Sequence, residues 1–125
     1  MVCGPLLDQE QFKTLKRRAR RLSGCEITSF HADLPHLLSK SDAVVAMSGY
    51  NTSVEIMQSR VPAVLLPRCF PRREQLIRAE RMQAAGLAQC LPRATAAELR
   101  THLHAALEGG IPTGALPDLS GSQRL

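Results

Sequence analysis

The chain has 125 residues, with 16 Lys and Arg against 11 Asp and Glu and a formal charge of +5. That length suits one domain, and a hydrophobic content of 44% excludes intrinsic disorder over most of it. No apolar run approaches the ~18–20 residues of a membrane-spanning helix, and Met1 to Leu7 is too short for the apolar region of a secretory signal, so a soluble intracellular domain is expected.

In chain order, Met1 to Cys3 reads as the end of a strand, broken by Gly4-Pro5. Asp8 to Ser23 reads as a helix, because Phe12, Leu15, Ala19 and Leu22 form one apolar stripe, and Gly24 suits the position after it. Ile27, Thr28 and Phe30 favour a strand over Cys25 to Phe30, and Asp33 can cap a short helix holding Leu34, Leu37 and Leu38. Asp42 to Met47 is a continuous apolar strand, which predicts cover on both faces, as in a parallel sheet. A helix follows over about Thr52 to Arg60, then a buried strand over Pro62 to Leu66 and a helix over Arg72 to Ala85 closed by Gly86. Leu87 to Leu91 is a last short strand, and Thr95 with Glu98 makes a capping box that opens a helix ending near Gly109-Gly110. The Pro-, Gly- and Ser-rich residues beyond it are expected to be disordered. Strands alternating with helices of this length give an α/β fold with a parallel sheet. In such a fold ligands bind at the loops after the carboxyl ends of the strands.

Two of those loops carry chemistry. In Ser48-Gly49-Tyr50-Asn51-Thr52-Ser53, Gly49 permits a positive φ and close approach of a ligand, and the helix-start amides favour an anion such as a diphosphate. A well-capped turn explains the same residues. Glu55, three after Thr52, suits either a capping box with Thr52 or a carboxylate accepting from ribose hydroxyls. Pro67 to Gln75 gathers Arg68, Arg72, Arg73, Glu74 and Gln75 around a helix start, where Arg suits phosphate and Glu or Gln suits sugar hydroxyls. A solvated loop with surface Arg is the alternative.

Lys13 to Arg21 holds six basic residues in nine, but on a helix they fan out opposite the apolar stripe and no aromatic is interleaved for base stacking. A solvated basic face is expected there, with no specific nucleic-acid partner. Cys3, Cys25, Cys69 and Cys90 have no Cys-x-x-Cys spacing and are read as reduced, mostly buried thiols. The histidines form no metal cluster, and there is no Asp-x-Asp pair and no Gly-rich lysine loop, so no metal and no cofactor are expected.

Five segments, in this order and spacing, resemble one family: Phe30-His31-x-x-Leu34, Ser41-Asp42-Ala43-Val44-Val45, Ser48-Gly49-Tyr50-Asn51-Thr52-x-x-Glu55, Pro62-Ala63-Val64-Leu65-Leu66-Pro67 and Arg72-Arg73-Glu74-Gln75. They are similar to the C-terminal, donor-binding half of GT-B glycosyltransferases of the family 28 type, which includes the UDP-N-acetylglucosamine transferase of peptidoglycan synthesis. The Gly-Tyr-Asn-Thr and Pro-Arg-Arg-Glu-Gln wording resembles a poorly characterised bacterial subgroup.

The resemblance implies a Rossmann-like sheet over residues 1–108, lacking its first strand and Gly-rich loop, with 109–125 as a tail. It implies that Phe30, His31 and Leu34 hold the base, that Ser48, Gly49, Asn51 and Thr52 meet the diphosphate, that Glu55 binds the ribose, and that Glu74 and Gln75 contact the donor sugar, with Arg72 beside them. The implied reaction is inverting, metal-independent transfer from a UDP-sugar, with helix-start amides and Arg stabilising the leaving diphosphate. The acceptor domain would lie outside these residues, in the same or a partner chain. On this basis the chain alone is expected to be marginal in stability and inactive. The location is expected to be cytoplasmic, with peripheral contact at an anionic inner membrane face. A non-catalytic subunit of a split transferase, or a fragment of a UDP-sugar epimerase of the same fold, are the alternatives.

Overall fold

The structure is a computed structural model that describes residues 1–3, 8–29 and 31–116. It divides into two compact units, Met1–Leu34 and Pro35–Leu125.

In the first unit a single parallel bridge joins Val2 to Thr28. The Cys3 amide donates to the Thr28 carbonyl at 2.8 Å, and the Thr28 amide to the Met1 carbonyl at 3.0 Å. The strand expected over Cys25 to Phe30 is therefore reduced to one bridge, and Phe30 and the Gly4-Pro5 break lie outside the described residues. Helix α1 spans Gln9–Ala19, and the Asp8 side chain accepts from the Glu10 amide at its start. Phe12 and Leu15 are half-buried and Ala19 is buried, but Leu22 lies past the helix end and is 61% exposed, so the stripe is one residue shorter than expected. The basic residues Lys13, Lys16, Arg17, Arg18, Arg20 and Arg21 are all exposed, as a solvated face requires.

Helix α2 (Leu34–Ser39) leads into the second unit, which continues β1 (Val44–Ala46), α3 (Tyr50–Ser59), β2 (Ala63–Leu65), α4 (Glu74–Ala84), β3 (Gln89–Cys90) and α5 (Ala96–Gly109). The three strands form a parallel sheet in the order β1-β2-β3, with Val45 opposite Val64 and Leu65 opposite Cys90. Flanking helices on a parallel sheet make this a Rossmann-like α/β fold.

The core gathers on β2, whose three residues are all buried. Around them are the buried side chains of Val61, Ile56 and Met57, of Leu76, Ala79 and Met82 on α4, and of Leu87 and Ala106. Burying these aliphatic groups contributes about 1.5–3 kcal/mol for each of the larger ones. The apolar run of β2 fits a strand covered on both faces. That of β1 does not: as an edge strand it leaves Val45 38% and Met47 45% exposed. Continuous hydrophobicity did not distinguish the central strand from its neighbour.

The capping box opens α5, with the Glu98 amide donating to Thr95 Oγ1 and the Thr95 amide to a Glu98 carboxylate oxygen, both at 3.1 Å. Helix α3 closes at Arg60 in the left-handed region, φ 55°. Its guanidinium donates to the carbonyls of Pro112 at 2.9 Å and Gly114 at 3.0 Å. The segment expected to be a disordered tail is thus hydrogen-bonded as far as 114, while residues 117–125 lie outside the described ones.

Candidate functional site

Because the strands are parallel, the turns after β1 and β2 leave the sheet at the same end, and α3 and α4 both begin there. Their first-turn amides need partners from outside the helix. At α1 and α5 a side chain supplies one, from Asp8 and Thr95. At α3 and α4 the preceding residues are Gly49 and Arg73, and neither gives a side-chain cap. The two neighbouring helices at the carboxyl end of the sheet therefore present N–H groups with no partner among the described residues, and the positive ends of their dipoles. This arrangement suits an anion.

The two helix starts are fastened together. Ser48, wholly buried, donates from Oγ to the Gln75 carbonyl at 2.7 Å. Arg78 Nη1 donates to the Ser48 carbonyl, also at 2.7 Å. The Arg68 amide donates to Gln75 Oε1 at 3.0 Å, which folds the Arg-rich loop back onto α4. The turn after β1 is thus held by α4, the helix after the adjacent strand.

The structure brings Ser48, Gly49, Asn51, Thr52, Glu55, Arg72, Glu74 and Gln75 into the second unit, on or beside these two helix starts. Several details differ from expectation. Gly49 has φ −62°, so a positive φ is not what it supplies. What it supplies is space, since a Cβ there would meet nothing within 4 Å. Helix α3 starts at Tyr50, which puts Thr52 at its third position and not at the cap. The Thr52–Glu55 capping box is therefore absent. Glu55, half-buried, makes no hydrogen bond among the described residues and is available to a ligand. Gln75 has Oε1 engaged by Arg68, leaving its amide nitrogen as the free donor. Arg72 and Glu74 are exposed. His31 and Leu34 lie in the first unit, both half-buried, and His31 Nδ1 accepts from the Asp33 amide at 3.2 Å. Phe30 lies outside the described residues.

Arg78, which the sequence pattern did not single out, and Tyr50 and Ser53 of the singled-out loop adjoin these helix starts. Arg78 ties Ser48 and stands 5.7 Å from the centroid of the Tyr50 ring, within cation–π range. Its Nε and the Oγ of wholly buried Ser53 are buried without a partner among the described residues. Arg78 stands one helical turn after Glu74, at i+4, and that periodicity was the available signal.

The cysteines are free thiols, Cys25 exposed and Cys3, Cys69 and Cys90 half-buried, which is less buried than expected. Burial, then the nearby Glu80 and Cys69, pushes the Cys90 thiol above its ordinary range. Among the described residues no three His, Cys, Asp or Glu gather as metal ligands, and no helix is long and apolar enough to cross a membrane.

A parallel sheet flanked by helices, with two adjoining helix starts that lack a side-chain cap at its carboxyl end, defines a Rossmann-like α/β class of domain. The family follows: the model of the glycosyltransferase family 28 C-terminal domain matches residues 1–110, and the chain belongs to that family. Over 61 residues, 47% of this chain, it is 36% identical to the UDP-N-acetylglucosamine–N-acetylmuramyl-(pentapeptide) pyrophosphoryl-undecaprenol N-acetylglucosamine transferase of Geobacillus kaustophilus. The match spans 17% of that protein's length. No solved structure matches the chain.

Proposed function

We propose that this chain is the donor-binding half of an inverting, metal-independent glycosyltransferase that uses a UDP-sugar. The observation that carries the reading is the pair of uncapped helix starts cross-tied through Ser48, Gln75 and Arg78, with Glu55 unpaired one turn inside α3. The diphosphate lies across the amides of Tyr50, Asn51 and Thr52 beside Gly49. Glu55 accepts from the ribose hydroxyls. Glu74 and the free amide of Gln75 meet the donor sugar, and Arg72 stands at the phosphates. The base is assigned to Phe30, His31 and Leu34 by the family resemblance alone.

In the transfer, the acceptor oxygen attacks the anomeric carbon as the bond to the diphosphate breaks. The charge that grows on the leaving diphosphate is stabilised by oriented N–H groups and by guanidinium. The acceptor and the base that takes its proton come from another domain, in the same chain or a partner, so these residues alone bind donor without turning it over. The reading places the protein in the cytoplasm at an anionic membrane face. Phe70, 84% exposed between the exposed Arg68 and Arg73, suits that contact.

Calorimetric titration of the chain with UDP and with UDP-N-acetylglucosamine tests the reading. Saturable binding of both is expected, and Glu55→Ala should weaken each by about 1.5–3 kcal/mol. Absence of UDP binding would overturn the proposal, and equal affinity in the variant would remove Glu55 from the site.

A further inference from the structure

Arg78 is a half-buried cation with an incomplete set of partners. Nη1 is spent on the Ser48 carbonyl and the guanidinium faces the Tyr50 ring, but Nε is buried with nothing to bond to. No carboxylate among the described residues neutralises it. A buried N–H without an acceptor is unfavourable in the empty protein, and a partly buried guanidinium gains from a counter-charge. A purely structural tie to Ser48 would need one neutral donor, such as a glutamine amide, and would not need the charge. The other buried polar atom without a partner, Ser53 Oγ, lies in the first turn of α3. Unsatisfied polar groups are rare in folded proteins, and here both lie on the two helices whose starts make the anion site.

From this we infer that Arg78 supplies a charge to the diphosphate subsite in addition to Arg72: it fixes the Ser48-Gly49 turn through the Ser48 carbonyl and sets an uncompensated positive charge behind the free amides of α3. The inference rests on the reading of the site as a UDP-sugar site and adds to it a positioning residue that the motif residues do not include. The counter-charge arrives with the ligand, so the donor's own diphosphate relieves a cost built into the empty fold.

The test compares the chain with Arg78→Met, Arg78→Gln and Arg78→Lys, using UDP and inorganic diphosphate as probes. UDP is followed by calorimetry. Inorganic diphosphate does not absorb in the ultraviolet, so its binding is followed by tyrosine emission. Tyr50 is the one Tyr in a chain without Trp, and it sits against Arg78. Arg78→Met and Arg78→Gln should lose about 10- to 100-fold in affinity for both probes. They should also show a shallower dependence on salt, since one cation has left the site. Arg78→Lys, which keeps the charge and loses the fork, should recover most of the affinity. Should Arg78→Met fail to fold, Arg78→Gln and Arg78→Lys decide the matter. If the unaltered chain binds UDP and Arg78→Gln binds it equally well, the inference fails and the site reading stands. If Arg78→Lys falls as far as Arg78→Gln, the positive charge is not what carries the affinity, which also overturns the inference. If the unaltered chain binds neither probe, both the inference and the reading beneath it fail.

Discussion

Ser48 and Gln75, 27 residues apart, are joined by a 2.7 Å hydrogen bond from the buried Ser48 hydroxyl to the Gln75 carbonyl. The bond couples the turn after β1 to the first turn of α4, beside the second tie from Arg78 to the Ser48 carbonyl. Ser48→Ala removes the donor and leaves a carbonyl short of one partner. It should lower the unfolding free energy by about 1 kcal/mol, read as a shift in the urea midpoint at unchanged slope. The UDP affinity should fall further than stability accounts for. An unchanged midpoint and affinity would show that the helix starts hold their places without this bond.

Gly49→Ala separates folding from binding. Gly49 has ordinary extended dihedrals and open space where a Cβ would sit, so the fold can accept alanine. The loss of a better helix-cap residue and the gain from a stiffer unfolded chain offset one another, and the net change in stability should stay below about 1 kcal/mol. If the diphosphate lies against this backbone, the new methyl group takes its place, and UDP affinity should drop by about tenfold or more. A variant that folds and binds UDP normally would move the diphosphate away from Gly49.

How far the sequence could be read is visible at these same residues. The run Ala63-Val64-Leu65 and the Thr95–Glu98 capping box were legible because each depends on local pattern alone, and both are found. The start of α3 was not. Thr52 and Glu55 have capping-box spacing, yet the helix begins at Tyr50 with Gly49 in the cap position, because the turn is set by Ser48 reaching α4 and no local pattern reports a contact 27 residues distant. Val45 and Met47 look like core and are part-exposed, since whether an apolar strand lies at an edge depends on its neighbours. The Ser48 to Ser53 turn was singled out through its residue types. Arg78 was passed over because an Arg on a helix ordinarily belongs to the surface.

Cys90 should react slowly. Burial first, then the charge of Glu80 and the neighbouring Cys69, raise its pKa above the ordinary thiol value, so at pH 8 it stays protonated, and the thiolate is the reactive form. Iodoacetamide at pH 8 should modify exposed Cys25 well before Cys90, resolved by peptide mass spectrometry. The sign for stability follows from linkage. A raised folded pKa means that the folded state holds its proton when the unfolded chain would release it, so this contribution is intact below the unfolded value and is lost as pH rises through the folded one. Comparable labelling of the two thiols in the native chain would contradict the burial of Cys90.

Gly114 and Arg60 hold one segment from two sides. A Cβ on Gly114 would run into the Ala85 carbonyl oxygen, and the Arg60 guanidinium donates to the Pro112 and Gly114 carbonyls. Gly114→Ala should force the segment away from the end of α4 and cost about 1–3 kcal/mol. Arg60→Ala keeps a non-glycine residue in the left-handed cap, φ 55°, so its effect isolates the two hydrogen bonds, at about 1–2 kcal/mol together. Once one change has released the segment, the other has little left to remove, and the double variant should be hardly less stable than the worse single one. Each stability is read from urea unfolding. Strict additivity would mean that the two residues act on separate parts of the fold and that the segment is not the unit they share.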